Sequence, residues 1–264
     1  MTSMEMVHVI VSGVIQMPEG FGWRGRVGMI MPATQTVTEP LYYSVAPPGV
    51  SFHTSRMAVT GVGPAAIAET ENQVERAVLE LKQAQVQCIA YLCVTAGLTR
   101  GLDGEREFCE DIEARHGIPV VSALLSTMDA LARFDIKKIV ITGPYPDGHN
   151  ILEQKLFSDN GFEVLGVHGL GITDGFGFGQ VPPSQILEFC RRHWDSAADG
   201  LFVACAAFNV MPVIEVMEHE FGVPVVTAHA AVLWQVFERL GIKEPLEGYG
   251  RLLRREYQPA GHRA

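Results

Sequence analysis

Ala90-Tyr-Leu-Cys-Val-Thr-Ala-Gly97 and Leu201-Phe-Val-Ala-Cys-Ala-Ala-Phe208 are the two stretches that decide how this chain folds. Each is a short apolar run that ends on a cysteine, followed by small residues and a helix-like segment. The surrounding sequence repeats in the same order. Val27-Gly-Met-Ile-Met-Pro32 is echoed by Ile139-Val-Ile-Thr-Gly-Pro144, and Gly117-Ile-Pro-Val-Val121 by Gly222-Val-Pro-Val-Val226. The steps from Val27 to Ile139 and from Cys93 to Cys205 are equal, so one lobe occurs twice with one thiol in each. A pseudo-twofold between such lobes places two sulfurs on opposite faces of one small substrate. That arrangement moves protons, or adds and expels a nucleophile, without a cofactor.

Outward from these stretches, β-rich runs alternate with helical periodicity. Strands are expected at 26–32, 50–56, 87–93, 118–122, 138–143, 162–168, 200–205 and 223–227. Helices are expected at 36–46, 66–84, 104–116, 126–135, 148–160, 183–193, 208–221 and 228–241. In 66–84 the residues Ile67, Val74, Ala77, Val78, Leu81 and Ala84 recur at helical spacing. Strand–helix alternation predicts an α/β fold with parallel sheets and right-handed crossovers. The site of such a fold lies beyond the carboxyl ends of its strands. Residues 1–24 precede the repeat and read as an N-terminal extension, with a turn at Pro18-Glu-Gly-Phe-Gly22.

The 264 residues suffice for two lobes of roughly 100–130 residues each. A hydrophobic fraction of 47% with 19% charged residues fits a packed globular chain. The net charge of −10 argues against nucleic acid as a partner. An anionic substrate must then be held locally, by backbone N–H groups and hydroxyls. No apolar run approaches the ~18 residues of a membrane span, and the N-terminus lacks a basic signal region, so neither membrane nor export is expected. Five separated cysteines without a CxxC or zinc-type cluster suggest reduced thiols, a cytoplasmic location and no metal.

Cys93 and Cys205 are the candidate catalytic residues, each just ahead of a predicted helix start, where a thiolate is favoured. Cys88, Cys109 and Cys190 fall within strand or helix patterns and read as core. Thr34, Gln35, Thr36 and Thr38 follow the first strand, and Thr95 follows Cys93; such turns hold a carboxylate or cap a helix. Tyr145 occupies the matching turn of the second half and offers a phenol donor. Arg56 at the end of the second strand either pairs with a carboxylate or fixes a loop. His53, His149 and His229 are possible acid–base helpers. Gly175-Phe-Gly-Phe-Gly179 is a flexible loop and a candidate lid, without the lysine of a phosphate loop.

A further set of pieces falls in order along the chain: Gly28-Met-Ile-Met-Pro32, Phe52-His-Thr-Ser-Arg-Met57, Cys93-Val94-Thr95, Gly143-Pro-Tyr145 through Asn150, Gly169-Leu-Gly-Ile-Thr-Asp174 with Val181-Pro-Pro183, Ala204-Cys205 and Val223-Pro-Val-Val-Thr-Ala-His-Ala-Ala-Val-Leu-Trp234. Together they resemble the aspartate/glutamate racemase superfamily, most closely its maleate cis–trans isomerase branch, from about Arg26 to Ile242. The resemblance implies two flavodoxin-like lobes with the active site in the cleft between them. It implies that the strand after residue 117 joins the second lobe and that the last strand and helix return to the first. Lobe 1 is then 25–116 plus 222–264, and lobe 2 is 117–221.

By the same resemblance Cys93 is the nucleophile that adds to an alkene carbon, and Cys205 is its acid–base partner. Pro32, Gln35 and Thr36 would hold one carboxylate of a small carboxylic acid. Val94, Thr95, Tyr145, Asn150 and Ala206 would surround the other. No cofactor or metal is implied, and the expected partner besides substrate is a second copy of the chain, in a dimer or tetramer. Two departures bear on the substrate: Gln35 stands where the isomerases carry Asn, and Gly175 where they carry another Asn. Other readings within the superfamily are arylmalonate-type decarboxylation by the second-lobe cysteine, and racemisation of an amino acid or hydantoin by two cysteines. A non-enzymatic binding relative is the remaining one.

Overall fold

The computed structural model describes residues 21–61 and 64–257 of the chain. Most of the expected N-terminal extension, residues 1–20, lies outside them. Two four-stranded parallel sheets carry the fold. The first contains β1 (Gly25–Pro32), β2 (Val50–Met57), β3 (Cys88–Tyr91) and β4 (Val120–Ser122), in the order β2-β1-β3-β4. The second contains β5 (Lys138–Gly143), β6 (Glu163–Gly169), β7 (Gly200–Val203) and β8 (Val225–Thr227), in the order β6-β5-β7-β8. The two orders are the same, so the repeat in sequence is a repeat in topology. The central strands are buried along their whole length: every residue of β3 and β7 is inside, as expected for strands covered on both faces.

The helices are α1 (Thr38–Val45), α2 (Pro64–Glu71), α3 (Val74–Gln83), α4 (Val94–His116), α5 (Ala123–Arg133), α6 (Asp147–Asp159), α7 (Pro183–His193), α8 (Ile214–Phe221), α9 (Ala228–Arg239) and α10 (Gly250–Leu253). The single helix expected over 66–84 is two. The side chain of Gln73 takes the place of a continuing turn: its Oε1 accepts from Ala58 N at 2.9 Å and its Nε2 donates to Ala58 O at 2.8 Å. This pair ties the break between α2 and α3 to the segment that leaves β2. The helix expected to begin near 104 begins at Val94, directly after Cys93, and bends at Gly101.

The division into lobes differs from the expectation at two strands. β4 pairs with β3, with Ile89 opposite Val120 and Tyr91 opposite Ser122, so the strand after residue 117 stays in the first sheet. β8 pairs with β7, with Leu201 opposite Val225 and Val203 opposite Thr227, so the last strand stays in the second. In each half helices connect successive parallel strands, and the third strand returns beside the first, β3 on β1 and β7 on β5. The halves are joined by helices rather than strands. α9 packs on α5 and against β3 and β4 of the first sheet as well as its own β8, and α5 reaches β8. The last helix thus does return to the first lobe, and only its strand does not. One core cluster accordingly runs through both halves, from Met29 and Leu92 through Leu131 and Phe237 to Phe202 and Phe208.

Gly101 has φ 72° and ψ 175° within α4, and a Cβ there would meet nothing within 4 Å. Only backbone strain therefore opposes a side chain, in a region of φ/ψ open to little but glycine. Gly101→Ala is expected to cost on the order of 2 kcal/mol, read as a fall of several degrees in the thermal midpoint. An unchanged midpoint would contradict the bend.

Candidate active site

The carboxyl ends of β1, β3, β5 and β7 point into one cleft between the sheets, where parallel α/β folds place their sites. The cleft encloses a cavity of about 80 Å³, several times the ~10–15 Å³ that one water needs. Pro32, Thr34 and Gln35 follow β1, and Leu92, Cys93, Val94 and Thr95 follow β3. Tyr145 and His149 follow β5, and Cys205, Ala206 and Ala207 follow β7. Val59, Gly61, Ile67 and Thr70 close one side; Gly175 and Phe178 close another. Among the described residues no lysine or arginine lines the cavity. Among the described residues no group of three His, Cys, Asp or Glu side chains could hold a metal ion.

Both cysteines singled out in the sequence face this cavity. Cys93 is the N-cap residue of α4, partly exposed through the cleft opening. Burial pushes its thiol up to about 11, while the Ala96 N–H and the Tyr91 hydroxyl favour the thiolate. Glu105 and Cys205 add to the rise by charge repulsion. Cys205 is buried, and burial pushes it to about 11 as well, against the Tyr145 hydroxyl and the N–H groups of Ala207 and Phe208. The Ala207 N–H donates to Cys205 Sγ at 3.4 Å. Cys205 also has φ 80°, a left-handed conformation that costs a side-chain-bearing residue on the order of 1–3 kcal/mol.

The lobe opposite holds that strained turn in place. Ala206 O accepts from Gln35 Nε2 and from Thr38 Oγ1, both at 2.7 Å. Behind Thr38 stands His229 Nε2 at 3.1 Å, and Tyr42 OH donates to His229 O at 3.0 Å. Burial lowers His229 to about 4, so the ring is neutral and structural. Arg56 fixes the loop after β1: it donates to Ala33 O at 3.0 Å and Gln35 O at 2.8 Å and pairs with Glu39. Of the two readings of Arg56, the loop-fixing one describes its contacts. His53 bonds Ser51 at 3.0 Å, away from the cavity.

Pro32, Gln35, Val94, Thr95, Tyr145 and Ala206 line the cavity as expected from the sequence, but the Gln35 amide nitrogen is already committed to Ala206. Thr36 and Asn150 do not line it. Thr36 turns toward the loop, where a Cβ on Gly179 would lie 3.0 Å from Thr36 Oγ1. Asn150 turns toward Gly169, where a Cβ would lie 2.6 Å from Asn150 Nδ2. The Gly175–Gly179 loop is seated on the first lobe: a Cβ on Gly175 would be 2.8 Å from Thr34 Oγ1. Asp174 caps it, accepting from Phe176 N at 3.2 Å and Gly177 N at 3.0 Å. Phe178 meets Tyr145 edge-on at 5.4 Å. Val59, Ile67 and Thr70 were invisible as site residues, since they carry no motif and reach the cleft only through the Gln73–Ala58 tie.

The arrangement offers two thiols, the four hydroxyls of Thr34, Thr70, Thr95 and Tyr145, and backbone N–H groups to a small acid. With both thiols pushed up to about 11, the protonated form of each is the one expected at neutral pH. Iodoacetamide is therefore expected to label Cys93 first, by mass mapping, at a rate that climbs about tenfold per pH unit from pH 8 to pH 10. A plateau below pH 8 would contradict the burial of the sulfur.

A family model described as arylmalonate decarboxylase matches residues 27–253. A maleate isomerase from Nocardia farcinica is 28% identical over 244 residues, covering 88% of this chain and 96% of that enzyme. A solved structure of a Nocardia farcinica maleate cis-trans isomerase variant, with a covalently bound succinylcysteine intermediate, superimposes with a TM-score of 0.81 at 27% identity. It covers 88% of this chain and 98% of that one. The arylmalonate decarboxylase of Bordetella bronchiseptica is 22% identical over 230 residues, 86% of this chain and 95% of that enzyme. Matched across nearly all of both lobes, with a thiol from each in the cleft, the chain belongs to the arylmalonate decarboxylase family of cysteine-dependent isomerases and decarboxylases.

Proposed function

We propose that the protein is a cofactor-independent cis–trans isomerase of a small unsaturated dicarboxylic acid of the maleate type. The observation that carries this reading is the presence of Cys93 and Cys205, one from each lobe, in a single cation-free cavity. Rotation about a carbon–carbon double bond is prohibitively slow until the bond is removed, and thiolate addition removes it. Cys93, as the thiolate, forms a bond to one alkene carbon. The displaced electron pair passes to the neighbouring carbon, where the adjacent carboxylate shares it. The Cys205 thiol gives its proton to that carbon. The adduct has a single bond and rotates. Cys205, now the thiolate, takes the proton back, the Cys93–carbon bond breaks, and the trans acid leaves.

The reactive form is the minority with one proton gone, because burial raises the proton affinity of both sulfurs and Cys205 adds to the rise at Cys93. The relative with a succinylcysteine adduct supports the covalent step, and the hydroxyls of Tyr145 and Thr95, which line the cavity, would receive a carboxylate without a cation. Decarboxylation of an arylmalonate needs only a proton from Cys205, so the role of Cys93 separates the two chemistries.

Cys93→Ser is expected to abolish maleate-to-fumarate turnover with the fold intact. Cys205→Ser is expected to trap the mass of one dicarboxylic acid on Cys93; near-normal turnover in the first variant, or no adduct in the second, would end the covalent reading. Gln35→Asn shortens the side chain by a methylene, breaks the 2.7 Å bond to Ala206 O and is expected to lower kcat about five- to tenfold, the worth of one hydrogen bond. A gain in kcat would show that Gln35 serves the substrate rather than the Cys205 turn.

A further inference from the structure

α6 carries a carboxyl group that the reaction does not use. Glu153 is 1% exposed, and neither of its carboxyl oxygens has a hydrogen-bond partner. It continues a stripe that begins in the cleft. Tyr145 and His149 line the cavity and stack on each other at 5.0 Å with 16° between the rings; Glu153 is one helical turn further in. Asn150, on the same face, has a buried Oδ1 that also lacks a partner. Three unpartnered acceptor atoms in one buried cluster are not accounted for by packing.

Glu153 lies one helical turn behind His149, which lines the cavity together with Tyr145 and Cys205. The Glu153 charge bears on both Cys205 and Tyr145, and the Tyr145 hydroxyl joins Thr95 to Cys205. Nothing basic offsets it. Of the charged and titratable side chains on the two elements packed closely against α6, Glu163 of β6 pairs with Lys138 and His168 of β6 stacks on His193; on α4, Arg100 pairs with Glu71 and Glu105, Arg106 with Asp103, Arg115 with Glu75 and Asp111, and His116 with Glu75, while Glu107, Cys109, Glu110 and Glu113 bring no positive charge. Burial pushes the Glu153 carboxyl up to about 8.

We propose that Glu153 is a positioning residue for the acid–base half of the site: as the neutral acid it lets the Cys205 sulfur carry charge, and once ionised it holds the proton on that sulfur. The proposal rests on the isomerase reading for its effect on turnover, but its effect on Cys205 does not. In the proposed cycle Cys205 is a thiolate while the adduct exists, so a negative Glu153 beside it opposes proton donation. Rising pH then has two consequences in the wild-type enzyme. It makes more Cys93 thiolate, and above about pH 8 it charges Glu153 and slows the step at Cys205.

The test is the rate of iodoacetamide alkylation of Cys205, followed by mass mapping in a Cys93→Ser background from pH 6 to pH 11, with Glu153, Glu153→Gln or Glu153→Leu. The Gln and Leu variants should match the parent at pH 7. At pH 9 both should react roughly 3- to 10-fold faster, the size of one like-charge interaction removed. Glu153→Asp should restore the parent profile. Superimposable profiles, or a change in the Leu variant alone, would overturn the proposal, since packing rather than charge would then be at work. With Cys93 present, maleate turnover in the parent should rise less steeply between pH 8 and pH 9 than in Glu153→Gln, the gap between them reaching the same roughly 3- to 10-fold. If the parent turned over no maleate at any pH, the isomerase reading would fail and the Cys205 profiles would still decide the role of Glu153.

Discussion

The carbonyl of Ala206 is the point on which the rest of the site depends. It accepts two 2.7 Å hydrogen bonds from the other lobe, one from Gln35 and one from Thr38. It belongs to the residue after Cys205, whose positive φ makes the turn unfavourable in isolation. Two buried hydrogen bonds of roughly 1 kcal/mol each offset a strain of about 1–3 kcal/mol. The cysteine is therefore held in a conformation that its own backbone resists, by residues on the far side of the cleft. Closure of the lobes and orientation of the Cys205 sulfur become one event.

The second constraint is electrostatic. The chain carries a net charge of −10 and places no cation in its cavity. Charge in the cleft is stabilised only by short-range dipoles: N–H groups after each cysteine, and the hydroxyls of Tyr91, Thr95 and Tyr145. These are weaker than burial, and the protonated form of both thiols is the one expected at neutral pH. Such a site sacrifices nucleophile concentration, yet it gains a low-dielectric space in which the same dipoles act strongly on charge that develops during reaction. Glu153 extends this balance one shell deeper, as an acid whose own charge nothing compensates.

Much of this was readable in the sequence, and the exceptions have physical causes. The repeat gave the two sheets their common strand order, and the two cysteines marked the cleft, because strand ends in parallel sheets converge there. The membership of β4 and β8 was not readable. Ile118-Pro-Val-Val121 and Val223-Pro-Val-Val226 are near copies, so local pattern fits either sheet, and only pairing with β3 or β7 decides. Thr36 and Asn150 carry the right chemistry at nearly the right places. A close approach to Gly179 in one case and Gly169 in the other turns them away from the cavity. The left-handed bend at Gly101 and the Gln73–Ala58 tie between the α2–α3 break and the segment leaving β2 are features that no periodicity encodes.

The central claim is that sulfur from each half meets one small acid from opposite sides. A crystal structure with succinate, the saturated analogue, tests it most directly. The account predicts Cys93 Sγ and Cys205 Sγ each within ~4 Å of the two central carbons, on opposite faces, with the Gln35 and Thr38 bonds to Ala206 intact. Succinate bound elsewhere, or touched by one sulfur alone, would contradict it.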